Sequence, residues 1–234
     1  MNCLAIKGKQ FYRVFSAVLC LAVLICALPL SGVSAEPINP DKELTVDDVY
    51  VCLNGDDGAG ELVPLHTVTS VGRENVKLHG VKSKNKLLEY TIPDELLLAD
   101  GNFAALMMEA DKYIGYPYVY GASNPREGFD CSGFVCWVFI HSGVYNSGRR
   151  GATGLHTLCR EIEPEDVRPG DLVFFEGTMG PEVKGITHVG IYVGNGMMIH
   201  AGDPVGFTDL TEERWQKHFY CYGRLPFEEE IDYE

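Results

Sequence analysis

The chain has 234 residues, 46% of them hydrophobic, which suits one ordinary domain plus extensions with a real core. Its formal charge of −14 argues against a nucleic-acid partner, whose phosphates demand basic surface, and disfavours passive adhesion to an anionic wall or membrane.

The first segment reads as a leader. Lys7, Lys9 and Arg13 form a positive n-region, Val14 to Leu28 is an apolar run, and "GVSA" ends at Ala35 with small residues suited to signal-peptidase cleavage. The run is shorter than the roughly 20 apolar residues of a spanning helix. Residues 1–35 are therefore expected to be a signal peptide and the product to be secreted or cell-surface, with no stable membrane insertion after cleavage. An uncleaved leader would instead anchor it at the N-terminus. Leu19 and Ile25 precede Cys20 and Cys26, so lipidation is not predicted. Losing three basic and no acidic side chains takes the exported charge from −14 to −17. Of the eight cysteines, Cys52, Cys131, Cys136, Cys159 and Cys221 then remain. An odd number implies an unpaired thiol, a partner chain or incomplete oxidation. The spacings match no zinc pattern and contain no Cys-x-x-Cys, so no metal site is expected.

Residues 36–43 read as a linker. Residues 44–92 alternate short apolar stretches with Gly, Asn and Asp clusters, the punctuation of β-hairpins, and are expected to form a small β-rich segment. Its place before the rest suggests wall binding, docking, spacing, or occlusion of a cleft. The main domain is assigned to 93–227 and an acidic tail to 228–234. "DELLLADGNFAALMMEADKYIG" has helical spacing, a Gly-Asn interruption, and a close at Gly115. "YPYVYGASNPREGFD" is an aromatic loop, with Tyr116 and Tyr120 assigned to packing. Residues 131–141 read as a helix, Leu172–Phe175 as a buried strand. "THVGIYVGNGMMIHA" reads as a hairpin with strands at 187–193 and 197–201. Helices first and strands after predict an α+β fold built on an antiparallel sheet.

Within "GFDCSGFVCWVF", Cys131 sits where a loop becomes a helix, whose free N–H groups favour a thiolate and could hold an oxyanion. Cys136, inside the helix, reads as a core thiol. A nucleophilic thiol needs an imidazole, and the imidazole an orienting group. His188 and His200 lie on the two arms of the hairpin. A three-residue Gly194-Asn195-Gly196 loop would set Gly190 opposite His200 and place both histidines on one face, whereas a two-residue loop would separate them. Asp171 is expected to satisfy backbone donors in its turn, and Trp215 to anchor a charged helix.

Three blocks, "YPYVYGASNPREGFDCSGFV", "RPGDLVFF" and "THVGIYVGNGMMIHA", occur in an order and spacing that resemble the NlpC family of papain-like cell-wall cysteine peptidases, from about Phe103 to Leu225. The resemblance implies a papain-like fold, with helices packed on the central antiparallel sheet. It implies Cys131 as nucleophile, His188 as general base and His200 as orienting residue. Tyr118 would line the oxyanion site, Asp130 and Ser132 would contact the substrate peptide, and Arg150 and Thr153 would face the cleft. The implied activity is hydrolysis of amide bonds in peptidoglycan stem peptides, after D-glutamate and before a diamino acid, without a cofactor. An amidase or acyltransferase using the same dyad, and a non-catalytic wall-binding or assembly protein, are the alternatives. Two positions depart from the family pattern: Ala122 replaces a glycine ahead of a longer "SNPREG" loop, and His156 stands where a glutamine is usual. His156 is read first as a surface residue.

Overall fold

The computed structural model describes residues 4–6, 10–12, 45–54, 60–180 and 182–227. The apolar run expected at 14–28, the linker at 36–43 and the tail at 228–234 lie outside them. No helix among the described residues is long and apolar enough to cross a membrane.

Strands β1 (Leu4–Ile6), β2 (Gln10–Tyr12), β3 (Val49–Asn54) and β4 (Gly60–Pro64) form an antiparallel sheet in the order β2-β1-β3-β4. A hairpin follows, β5 (Lys77–Leu78) and β6 (Val81–Lys82). Its corner is His79-Gly80, both at positive φ as a tight two-residue turn requires. The segment shares its core with the rest of the chain: Val49, Val51, Leu65 and Val68 are buried in the same cluster as Phe103, Leu106 and Phe134. Arg73 pins it further, donating to the Asp111 carbonyl and pairing with the Asp111 carboxylate at 2.6 Å.

The interruption expected at Gly101-Asn102 falls one residue earlier, at Asp100, which divides two helices, α1 (Asp94–Ala99) and α2 (Gly101–Asp111). Asp100 turns extended between them and caps α2, its carboxylate accepting from the N–H groups of Asn102 and Phe103. A short pair, β7 (Ser123–Asn124) and β8 (Gly128–Phe129), leads into α3 (Cys131–His141). Next come α4 (Ala152–His156) and strands β9 (Arg160–Ile162), β10 (Leu172–Glu176), β11 (Ile186–Gly194), β12 (Met197–Ala201) and β13 (Val205–Asp209). Helix α5 (Glu213–His218) and strand β14 (Phe219–Arg224) complete the fold.

The central sheet has six strands in the order β13-β12-β11-β10-β14-β9, antiparallel throughout, as an α+β reading requires. Strand alternation sorts its side chains between two faces. Phe174, Val189 and Ile191 join the core beneath α2 and α3, while Val173, Phe175 and Met198 pack with Trp215 of α5. Asp171 holds the turn into β10, accepting from Arg168 N–H at 2.9 Å, and also ion-pairs with Arg224 at 2.7 Å.

Candidate active site

The loop entering α3 is bound by one carboxylate. Asp130 is its N-cap: Oδ1 accepts from Gly133 N–H at 2.6 Å and Ser132 Oγ at 3.0 Å, and Oδ2 accepts from Gly121 N–H at 3.1 Å and Arg149 Nη2 at 2.7 Å. Gly133 is required by close approach, since a Cβ there would lie 2.3 Å from the Ala122 carbonyl oxygen. Cys131 therefore opens the helix in a fixed position. It is buried, with only 7% of its surface exposed.

The hairpin carrying the histidines does not turn as the sequence spacing suggests. Asn195 and Gly196, both at positive φ, make a two-residue turn with Gly194 opposite Met197. Such a turn alone would send the histidines to opposite faces. A bulge between Tyr192 and Gly194 restores the register, so that Ile191 faces Ile199 and, one step on, Gly190 faces His200. His188 Nε2 and His200 Nδ1 lie 2.7 Å apart, and His200 Nε2 is 2.9 Å from Thr208 Oγ1 on β13. Gly190 makes this possible, because a Cβ there would meet Met198 Sδ at 2.7 Å and His200 Cβ at 3.1 Å. Trp215 closes the far side, its ring centroid 5.3 Å from His188 and 5.1 Å from His200.

The Cys131 thiol meets the backbone on both sides of His188, lying 4.0 Å from the Thr187 carbonyl and receiving a backbone hydrogen bond from Val189. No hydrogen bond joins Sγ to the imidazole in this resting geometry; such contacts are commonly long until substrate is bound. The expectation of a depressed thiol pKa is corrected here. Burial, then the Asp130 charge, pushes Cys131 up to about 11, against the lowering effect of backbone hydrogen bonds from Val189, Ser132 and Cys131 itself. Burial and then the Arg214 cation hold His188 down at about 3, and burial, His188 and Arg214 keep His200 well below its usual range. Both shifts favour the uncharged forms at neutral pH. The arrangement thus favours attack in which the imidazole removes the thiol proton as the new bond forms, over a preformed ion pair.

One set of proton positions would suit His188 as a base. For His188 Nδ1 to accept the thiol proton, Nε2 must carry hydrogen and donate to His200 Nδ1. His200 Nε2–H then donates to Thr208 Oγ1.

Tyr118, bridged to Phe129, stands near the thiol: burial chiefly, then the charges of Cys131 and Asp130, raises its phenol, which stays protonated and able to donate. Ser132 is buried against Asp130 and accepts from Arg149 Nη1 at 3.0 Å. Arg149, which sequence reasoning passed over, is the arginine that reaches Asp130 and Ser132. Arg150 instead turns back, Nε donating to Ser147 O at 3.0 Å, while its backbone flanks Cys136 Sγ. Thr153 donates to Ile186 O at 3.3 Å, bracing the start of β11. Tyr116 packs on Tyr113, but Tyr120, assigned above to packing, is 77% exposed. His156 sits apart from the site, edge-on to Phe174 at 5.2 Å. Thr208 left no trace in the sequence, whereas Trp215 was legible as an anchor but not as the wall of the histidine pair.

A cavity of about 410 Å³ opens beside the histidines, bordered by Tyr118, Thr187, His188, His200 and Trp215. Residues 85–88 of the N-terminal segment also line it.

Residues 115–224 match the model of the NlpC/P60 family. The chain carries an NlpC/P60-family domain over those residues. CwlT, a bifunctional muramidase/DL-endopeptidase of Bacillus subtilis, is 44% identical over 124 residues, covering 53% of this chain and 36% of the relative. A γ-DL-glutamyl hydrolase of the same organism is 34% identical over 175 residues, covering 68% of this chain and 41% of the relative. The chain thus spans well under half the length of these two curated relatives. A solved NLP/P60-family structure from Staphylococcus aureus, described as similar to lipoprotein, is 38% identical with a TM-score of 0.51, over 54% of this chain and 42% of that one. The NlpC/P60 match covers every residue of the Asp130 cap, the thiol, the histidine pair and Trp215.

Proposed function

We propose that this NlpC/P60 chain is an exported cysteine endopeptidase that hydrolyses amide bonds in peptidoglycan stem peptides, cutting after D-glutamate and before the diamino acid. The observation that carries the reading is the buried thiol at the start of α3 beside a hydrogen-bonded histidine pair, whose 2.7 Å contact fixes one imidazole as a directed base. Cys131 attacks the carbonyl while His188 takes its proton. The resulting imidazolium protonates the departing amine, leaving a thioester. Water, deprotonated by His188, then releases the acid and regenerates the thiol. Tyr118 and the N–H groups at the start of α3 are the donors suited to the oxyanion. Asp130, Ser132 and Arg149 form the polar edge that would meet the peptide, and the 410 Å³ cavity beyond His188 would receive the leaving side.

The test is digestion of purified peptidoglycan with the wild type and with Cys131→Ala, with the fragments identified by mass spectrometry. Fragments ending in D-glutamate, absent with Cys131→Ala, are expected. Equal release by both proteins would refute the assignment.

A further inference from the structure

Away from the thiol, three side chains of different elements converge at the β14–β9 edge of the chain's central sheet. His156 ends α4, Glu161 lies in β9 and Cys221 in β14. Their donor atoms all lie within 4.8 Å of one another, His156 Nε2 standing 3.2 Å from Glu161 Oε1. Sheet register explains the convergence. Gly223 pairs with Glu161, which places Cys221 diagonally across on the same face. Gly223 has no side chain to fill the space between them. Cys159 also packs into that notch, its Cβ 2.8 Å from where a Cβ at Gly223 would stand. Edge-on contacts with Phe174 at 5.2 Å and Tyr220 at 5.6 Å hold the His156 ring above the strands. Glu161 is exposed and the other two are half-buried, so solutes can reach the cluster.

We propose that His156, Glu161 and Cys221 bind a divalent transition-metal ion of the zinc class. The donor set of imidazole, carboxylate and thiolate is borderline-soft, which favours zinc over calcium or magnesium. Tetrahedral zinc sets its ligand atoms roughly 3.3–3.7 Å apart, given bonds of about 2.0–2.3 Å, so the cluster closes on an ion by about an ångström. The fourth position falls to water. On binding, Cys221 forms an S–metal bond and releases its proton to solvent. The absence of a linear zinc pattern is no obstacle, because three separate elements supply the ligands. The ion would clamp α4 to the β9–β14 edge. Because Thr153 of α4 holds the Ile186 carbonyl, the clamp would also steady the strand that carries His188.

Cobalt(II) is the probe, because thiolate coordination gives an intense near-ultraviolet charge-transfer band. Titration uses the full exported chain carrying Cys131→Ala, so the candidate nucleophile cannot supply the sulfur. One equivalent is expected to produce the band, zinc(II) to displace it, and zinc(II) to raise the melting temperature. Cys221→Ser should abolish the band. His156→Ala and the surface substitution Glu161→Gln should weaken binding by at least about tenfold while circular dichroism remains native. A band that survives Cys221→Ser, no band in the parent, or a Cys159–Cys221 disulfide in protein purified without reductant would each overturn the proposal.

Discussion

Asp130→Asn tests the physical account of the Cys131 environment, because the two carboxylate oxygens have different duties. Oδ1 holds the N-cap and Ser132, roles an amide oxygen can keep. Oδ2 accepts from Gly121 N–H and from the Arg149 guanidinium, both donors, and an amide NH₂ there can satisfy neither. The backbone hydrogen bond from Gly121 contributes about 1 kcal/mol. The ion pair at 2.7 Å contributes about as much after discounting for a guanidinium side chain 40% exposed. The substitution should therefore cost about 2 kcal/mol, or about 4–8 °C in melting temperature for a domain of this size. The thiol should respond in the opposite sense. With its pKa near 11, about 0.03% is ionised at pH 7.5. Removing the Asp130 charge and freeing Arg149 both favour the thiolate. Iodoacetamide alkylation should thus be slow in the wild type, climb with pH through the alkaline range, and be faster in Asp130→Asn at every pH below the midpoint. Alkylation no faster than wild type, or an unchanged melting temperature, would refute this account of the cap.

The wild-type pH–rate profile should lack an ionisation step between about pH 5 and 9, since His188 is neutral above about 3 and the thiol protonated below about 11; a bell centred near neutrality would contradict the uncharged pair. Thr208→Val should lower kcat with little change in KM by freeing His200 to adopt the other tautomer, a loss of about tenfold for one hydrogen bond of about 1.4 kcal/mol. Gly190→Ala should reduce kcat more than it reduces the melting temperature, because its Cβ presses on His200 Cβ; unimpaired turnover would show that the strands yield. Deleting residues 44–92 should leave an unstable chain rather than a more active one, since Val49, Val51, Leu65 and Val68 belong to the shared core; a soluble, fully active product would show that the segment is dispensable.

Local chemistry wrote much of the molecule into the sequence. Asp130 announces a helix start because a short carboxylate satisfies free N–H groups, and the apolar spacing beyond Cys131 sets a helix that runs from 131 to 141. The hairpin was legible from its alternation and its Gly-Asn-Gly corner, and with it the pairing of His188 and His200. What the sequence left open was register: the two-residue turn and the compensating bulge at Val193 have no distinct pattern, because a bulge is chosen by the packing of the neighbouring strands. Arg149 was missed beside Arg150 because adjacent residues in an irregular loop carry no periodicity to say which turns inward. Thr208 and Trp215 reach the histidines from β13 and α5, elements that no local signal joins to β11. The charge state of the site also came from tertiary structure alone. A helix N-terminus favours a thiolate, but burial under the sheet and a neighbouring carboxylate outweigh it, and desolvation depends on what packs around a group rather than on what precedes it in the chain.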